Sequence, residues 1–279
     1  MVTDTSFSLP SHEVSWLKRD LLLFANSIAV TSDELHCLYP VVGIISLLRR
    51  FPTYPIILSF KHTDQEVPQA RLPIPHPDPK CTVDGQRLLT VLKPIPVSTA
   101  DGTFELRAKC LGVYDKGKAG MVKEMETLLS PVTVNYSPPK DRAPDEVYTQ
   151  PTSSETALLY RLNGDYNPLL ADPTVGAQLG FKGVIMHGLS TWNTAAHAVL
   201  KKFGGSQPER LRVFQARFAK PVVPGDTVVV EMWRTGKEIG NEWFEEIVFV
   251  AKVKETGTVV LSNGRAVVKV VGGKGCSKL

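Results

Sequence analysis

Cysteine is scarce in this sequence, and the four cysteines that occur are scattered. Cys37, Cys81, Cys110 and Cys276 stand far apart in 279 residues, and no two of them form a Cys-x-x-Cys pair. Disulfide frameworks and zinc sites need clustered cysteines, so this spacing favours reduced, mainly structural thiols in a cell interior. We therefore expect neither a metal site nor a disulfide scaffold.

Long apolar runs and strong charge are missing as well. The most apolar early stretch, LLLFANSIAV, is interrupted by Asn26 and falls far short of the ~20 residues of a membrane-spanning helix. Lys and Arg total 32 against 28 Asp and Glu, and the net charge of +4 is spread along the chain without a basic run. The sequence therefore predicts a soluble globular protein that binds neither membrane nor nucleic acid.

The chain ends in Cys-Ser-Lys-Leu, so Ser277, Lys278 and Leu279 are its last three residues. A terminal Ser-Lys-Leu is an address that the peroxisomal import receptor reads when it is exposed. The preceding GGKG is typical of a flexible segment that would present the tail to this receptor. These residues predict a location in the peroxisomal matrix, with the import receptor as a partner.

A proline-rich stretch divides the chain into halves of similar length. Residues 131–154 hold five prolines and few apolar residues, which is typical of an extended linker. The predicted organisation is an N-terminal unit over 1–130, this linker, a C-terminal unit over 155–272 and a flexible tail over 273–279. A short echo between the halves, LKPIPVSTADGT and FAKPVVPGDT, favours a duplicated domain.

Hydrophobic periodicity predicts helices followed by strands in each half. In the second half, GLSTWNTAAHAVLKKFGG places Leu189, Trp192, Ala196, Val199 and Leu200 on one helical face and stops at Gly-Gly. Four strand-like runs follow; in the first half, WLKRDLLLFANSI and VVGIISLLRR precede RLLTVLK, FELRAKCLGVYDKG and AGMVKEMETLL. A buried helix followed by long antiparallel strands predicts an α+β fold in which a sheet wraps around the helix.

One polar turn, YRLNGDYNPLLADP, has the composition of a functional site. It holds Asp165 and Asn167 just before a proline, and MHGL later opens the long helix. The unpaired N–H of Gly188 at a helix N-terminus suits a thioester oxygen, while an acid such as Asp165 moves a proton. Asp and Asn before proline also bond their own backbone in ordinary turns, so spacing alone leaves a purely structural turn open.

The run YRLNGDYNPLLADPTVGAQLGFKGVIMHGLST closely resembles the signature of R-specific enoyl-CoA hydratases, the MaoC-like dehydratases. Their pattern is Tyr-Arg-x-Ser/Asn-Gly-Asp-x-Asn-Pro-Leu/Ile-His-x-Asp-Pro, followed by Gly-Phe and Ile-x-His-Gly-Leu. FQARFAKPVVPGDTVVVEMW, LKPIP and VYDKGKAG extend the likeness over nearly the whole chain. The resemblance implies a double hot-dog fold, with a long helix wrapped by an antiparallel sheet in each unit and no catalytic motif in the N-terminal one. It also implies a homodimer.

The resemblance assigns roles to five residues of this chain. Asp165 falls on the catalytic Asp, Asn167 on the Asn that helps to position a water, and Gly188 on the backbone donor to the thioester oxygen. His187 falls on the motif's His, and we expect it to have a structural role beside the substrate. The family's catalytic His stands five positions after the Asp, where this chain has Leu170, which we expect to line the substrate site.

The presence of Leu170 in place of the family's catalytic His leaves three possible functions. Leucine neither accepts nor donates a proton, and removal of a general acid–base group typically costs ~10²–10⁴-fold in rate. We favour an enzyme that acts on an acyl-CoA-type thioester through Asp165 and the Gly188 donor by dehydration, isomerisation or cyclisation, in specialised biosynthesis. The alternatives are an enoyl-CoA hydratase of fatty-acid oxidation with a compensating base such as His187, and a non-catalytic acyl-CoA-binding paralogue. No cofactor is expected, because CoA enters as the carrier of the substrate.

Overall fold

The computed structural model describes residues 7–38, 50–61, 84–100, 102–115, 121–126, 135–240 and 243–271. The helix predicted in VVGIISLLRR, apart from Arg50, and the tail with Ser277, Lys278 and Leu279 lie outside these residues. Two compact units are present. One comprises Met1–Leu17 and Ser98–Val134, and the other comprises Lys18–Val97 and Asn135–Leu279.

The elements of the first half are short. They are β1 (Phe7–Ser8), β2 (His12–Val14), α1 (Lys18–Ser27), α2 (Leu35–Leu38), α3 (Leu58–Lys61), β3 (Gln86–Thr90), β4 (Phe104–Leu106), β5 (Lys109–Asp115) and β6 (Met121–Glu126). Those of the second half are β7 (Glu146–Pro151), α4 (Thr156–Arg161), α5 (Pro173–Gln178), α6 (Gly188–Gly204), β8 (Leu211–Phe218), β9 (Thr227–Ile239), β10 (Phe244–Val253) and β11 (Val259–Lys269). Helices packed on antiparallel strands confirm the predicted α+β class.

The smaller unit contains two small antiparallel sheets. Strand β5 lies between β1 and β6, while β2 pairs with β4. Trp16 is 2% exposed, and its ring packs on Phe104 with the ring centroids 4.9 Å apart. The Thr99 hydroxyl accepts from the Trp16 N–H at 3.1 Å and donates to the Trp16 carbonyl at 3.2 Å. These two bonds join the end of the segment Met1–Leu17 to the start of the segment Ser98–Val134.

The larger unit is built on a six-stranded antiparallel sheet with the order β3-β8-β11-β10-β9-β7. Strand β10 lies inside this sheet and is buried along almost its whole length, with Ile247 and Phe249 fully buried. Its β-branched and aromatic composition suits such a position. The first half contributes the edge strand β3, which pairs with β8.

Helix α6 packs against this sheet and is buried on nearly every side. The five apolar residues predicted to share one face are all buried, and Trp192 meets Phe214 edge-to-face at 4.6 Å. Gly205 ends the helix with a left-handed φ of 58°, a conformation that glycine adopts without strain. Among the described residues, no helix is both long and apolar enough to cross a membrane.

Part of the stretch interpreted as a linker is a strand. Residues 146–151 form β7, which pairs with β9 at the edge of the large sheet, and its Pro151 is the last residue of the strand. Proline is tolerated at such a position because an edge strand has N–H groups that face no neighbour. The Trp233 Nε1–H also donates to the Arg142 carbonyl at 3.1 Å, so residues before β7 contact the sheet.

Candidate active site

The acidic turn after α4 is held against α3 through a glycine. Gly164 has a φ of +116°, and a Cβ on it would lie 2.8 Å from the Cα of Lys61. The positive φ and the short distance to Lys61 each disfavour any residue with a Cβ at position 164. Arg161 closes the turn from the other side, because its Nη2 donates to the Tyr166 carbonyl at 2.9 Å and its guanidinium lies 5.6 Å from the Tyr166 ring.

The polar residues of the turn bond their own backbone. Oδ1 of Asp165 accepts from the Asn167 N–H at 3.4 Å, and Oδ1 of Asn167 accepts from the Leu169 N–H at 3.0 Å. The latter bond caps a 3-10 helix over Pro168–Leu170, whose last residue, Leu170, is buried with 7% exposure. The turn therefore has the structural bonds expected of Asx residues, and it presents Leu170 to the interior.

His187 connects this turn to the N-terminus of α6. Its Nε2 lies 3.1 Å from the Asp165 carbonyl oxygen. Since a carbonyl oxygen only accepts, Nε2 carries the hydrogen, and the buried Nδ1 has no partner among the described residues. Burial lowers the pKa of His187 to about 4, so the ring is neutral near pH 7. The ring thereby fixes the position of the Asp165 backbone, and the role of His187 beside the substrate stays a prediction.

The first turn of α6 offers free backbone donors. The first helical bonds run from Ser190 and Thr191 to the His187 carbonyl, and within the described residues neither Gly188 nor Leu189 has an acceptor for its N–H. Gly188 is exposed as a residue, and it has no side chain of its own to cover the N–H. An accessible donor at the positive end of a helix suits an oxygen that gains negative charge.

Asp165 has an altered proton affinity. Burial raises its pKa, and the negative charge of Asp84 adds to this rise. The N–H of Asn167 and the positive charge of Arg161 oppose it. The net direction of the shift is upward, because burial is the largest cause. A carboxyl with a raised pKa exchanges protons more readily near neutral pH.

Two residues of the site lie within the runs that carry the family resemblance but were given no role there. Phe218 ends β8, and its ring would lie 3.2 Å from a Cβ added to Gly188, so it covers one side of the donor. Tyr160 is fully buried, accepts from Asn193 Nδ2 at 2.9 Å and packs on His187 at 5.1 Å between ring centroids. Both contacts join segments far apart in the chain. No group of three or more potential metal ligands occurs in the part of the chain that the structure describes.

Two family descriptions match the chain in succession. The MFE-2 hydratase 2 N-terminal domain matches residues 15–131, and the MaoC like domain matches residues 136–259. The second match contains the acidic turn and all of α6.

Individual proteins match over most of the chain. The probable dehydratase NIT22 of Ajellomyces capsulatus is 40% identical over 92% of this chain and 79% of its own length. The peroxisomal enoyl-CoA hydratase 2 of Arabidopsis thaliana is 28% identical over 91% of each chain. The crystal structure of a MaoC-like dehydratase from Phytophthora capsici superposes with a TM-score of 0.76 at 26% identity, over 97% of this chain and 98% of that one. This superposition confirms the predicted hot-dog fold, and the chain belongs to the MaoC-like dehydratase family, in the form that follows a hydratase 2 N-terminal domain with a MaoC-like domain.

Proposed function

We propose that this protein is a lyase that acts on an acyl-CoA-type thioester. Asp165 carries the proton, and the Gly188 N–H holds the thioester oxygen. The reaction is dehydratase-like, isomerase-like or cyclase-like, in specialised biosynthesis rather than ordinary hydration of fatty enoyl-CoA. One observation carries the proposal: the hydrogen bond from His187 to the backbone carbonyl of Asp165 holds this residue, whose carboxyl has a raised pKa, at the helix end where Gly188 offers a free donor.

The proposed chemistry needs one proton carrier and one oxyanion donor. Asp165 removes a proton from the carbon next to the thioester carbonyl, and the resulting enolate oxygen is held by the Gly188 N–H. Return of that proton to a hydroxyl on the next carbon breaks the C–O bond, forms the double bond and releases water. Return to a carbon further along the chain shifts a double bond instead.

Leu170 is the reason for doubting ordinary hydration. A buried leucine makes its surroundings apolar, and an apolar site does not hold an ordered water. If Leu170 stands where the family has its catalytic His, as the resemblance implies, then the second group that would activate a water is missing. Hydration through Asp165 alone, and by microscopic reversibility its reverse on the same thioester, is therefore expected to be slow.

The test combines two assays on the natural protein. In D2O, mass spectrometry of acyl and enoyl thioesters measures deuterium uptake next to the carbonyl, which we expect to occur and to be lost in Asp165→Asn. Loss of the conjugated absorbance of trans-2-enoyl-CoA measures hydration, which we expect to be slow. Thioester binding without deuterium uptake would support a non-catalytic binding protein and contradict the proposal.

Leu170→His is the informative variant for the hydration assay. Restoring an imidazole should raise hydration by about 10²-fold or more, because that is the size of a typical general acid–base contribution. Leu169→His is the matched control, since it adds the same ring one position earlier in the same 3-10 helix and should leave the rate low. Fast hydration by the natural protein would instead favour the alternative that it is an enoyl-CoA hydratase, the activity for which the Arabidopsis relative is named.

We also propose a peroxisomal location and a homodimer. The name of the Arabidopsis relative and the Ser-Lys-Leu ending support the location. A fluorescent protein fused to the N-terminal side of this chain, which leaves Ser277–Leu279 terminal, should enter peroxisomes, and deletion of Ser277–Leu279 should leave the fusion outside them. Analytical ultracentrifugation tests the dimer, which rests on the family resemblance.

A further inference from the structure

A side-chain hydrogen bond from the first half of the chain reaches the acidic turn two residues before Asp165. Nδ2 of Asn163 donates to Oγ of Ser27 at 2.9 Å and to the Tyr160 carbonyl at 2.8 Å. The Ser27 hydroxyl donates its one hydrogen to the Phe24 carbonyl at 2.8 Å, so its oxygen is the acceptor for the Asn163 amide. Since Ser27 is the last residue of α1, the Asn163 side chain joins this helix to α4.

Both partners of this bond are buried. Ser27 is 4% exposed and Asn163 is 6% exposed, so water does not compete for either group. A buried polar group that loses its partner stays unsatisfied, which is costly. Displacements of the turn that stretch this bond are therefore opposed more strongly than they would be at the surface. Alanine fits the space of serine, so Ser27→Ala removes the bond without a steric clash.

A second contact from the first half is made by the next residue of the turn. The backbone of Gly164 packs on α3, where an added Cβ would lie 2.8 Å from the Lys61 Cα. Lys61 is in turn paired with Asp20 of α1, and their Nζ and Oδ2 atoms are 2.5 Å apart. Helices α1 and α3 are thus joined to each other, and each contacts the turn just before Asp165.

The second half of the chain holds the turn at Asp165 and after it. His187 Nε2 donates to the Asp165 carbonyl at 3.1 Å, and Arg161 Nη2 donates to the Tyr166 carbonyl at 2.9 Å. The bond to Ser27 acts on the segment before Asp165, at Asn163. The direction in which the Asp165 side chain leaves the backbone depends on the chain on both sides of it, so it depends on both sets of bonds.

We propose that Ser27 is a positioning residue for Asp165 and acts through its hydrogen bond to Asn163. For its consequence in catalysis the inference rests on the proposed function. Proton transfer and oxyanion binding need the carboxyl of Asp165 and the N–H of Gly188 in a fixed relation, and a small misplacement of either slows the reaction. The first half thereby contributes a side chain to the geometry of the site, although it supplies neither the proposed acid nor the proposed donor.

The test is a double-mutant cycle of Ser27→Ala and Asn163→Ala, measured by deuterium uptake next to the thioester carbonyl. Ser27→Ala should lower kcat by about 10-fold and leave KM within about two-fold, because a displaced acid slows proton transfer without a change in substrate contacts. In the Asn163→Ala background the same substitution should have no further effect, since the shared bond is already absent.

Ser206→Ala is the matched control. It also removes a buried serine hydroxyl and its hydrogen bond, here to Glu34 at the far end of α6. Urea denaturation should show a loss of stability in both serine variants, but kcat should fall in Ser27→Ala alone. An equal fall of kcat in Ser206→Ala, an unchanged kcat in Ser27→Ala, or an additive loss in the double variant overturns the inference.

A second measurement needs no turnover. Residual dipolar couplings of the Asp165 and Gly188 backbone N–H bonds report their relative orientation, which should change in Ser27→Ala and stay constant in Ser206→Ala. Couplings that stay constant in Ser27→Ala overturn the inference even where kcat falls. Changed couplings in Ser27→Ala without deuterium uptake in any protein, the natural one included, refute the proposed function alone.

Discussion

At the scale of single residues, Gly164 sets the geometry of the acidic turn. Replacement by alanine forces a side chain into a φ of +116° and places its Cβ 2.8 Å from the Cα of Lys61, which is backbone and cannot move aside cheaply. We expect Gly164→Ala to reduce the free energy of unfolding by roughly 2–4 kcal/mol and to reduce activity, because Asp165 follows directly. Urea denaturation and the deuterium assay measure the two effects.

Gly225→Ala is the control that separates the cost of the backbone dihedral angle from the cost of a steric clash. Gly225 has a φ of +102°, and nothing lies within 4 Å of a Cβ at that position. This control should lose only about 1 kcal/mol, the cost of the dihedral angle. Equal losses in the two variants would show that the contact with α3 is unimportant.

His187 provides a second residue-scale prediction. Glutamine reaches about as far as the imidazole Nε2 and can keep a donor to the Asp165 carbonyl, whereas asparagine is too short. We expect His187→Gln to retain most of the activity and His187→Asn to lose about 10-fold or more in kcat through misplacement of Asp165. If both variants lose activity equally, the ring itself is needed, and the compensating-base alternative gains support.

At the scale of elements, local patterns predicted α6 and the long strands because their apolar periodicity is strong. The helix was recognisable from Leu189, Trp192 and Ala196, and its end from Gly205. The strand β7 was missed, because five prolines nearby give that stretch the composition of a linker. An edge strand tolerates such a composition, since half of its backbone groups need no partner.

In the candidate site as well, residues of one local motif could be predicted from the sequence, and residues brought in by tertiary contacts could not. Asp165, Asn167 and Leu170 occupy one continuous motif, so the sequence could point to them. Phe218 reaches Gly188 only because the end of β8 lies against the start of α6. This contact joins two elements that are separate in the chain, and no local pattern records it.

At the scale of the whole molecule, a buried ionic network ties the first half to the far end of α6. Glu34 is 3% exposed, and its carboxylate contacts His197 at 2.7 Å, Lys201 at 3.0 Å and the Ser206 hydroxyl at 2.5 Å. Burial alone would raise the pKa of Glu34, but the bonds to these partners outweigh it and lower the value to about 2. The folded state therefore stabilises the ionised form of the Glu34 carboxyl.

This network predicts how stability depends on pH. A carboxyl whose pKa falls from 4.5 to about 2 on folding contributes roughly 3 kcal/mol above pH 4.5, and the contribution disappears as the pH falls toward 2. We expect Glu34→Gln to be less stable than the natural protein by about 3 kcal/mol at pH 7 and to converge with it in acid. Asp33→Asn, which alters the exposed partner of Lys201, should change little at any pH. Urea denaturation at a series of pH values measures the difference, and a constant gap down to pH 2 would show that Glu34 acts through packing and not through its charge.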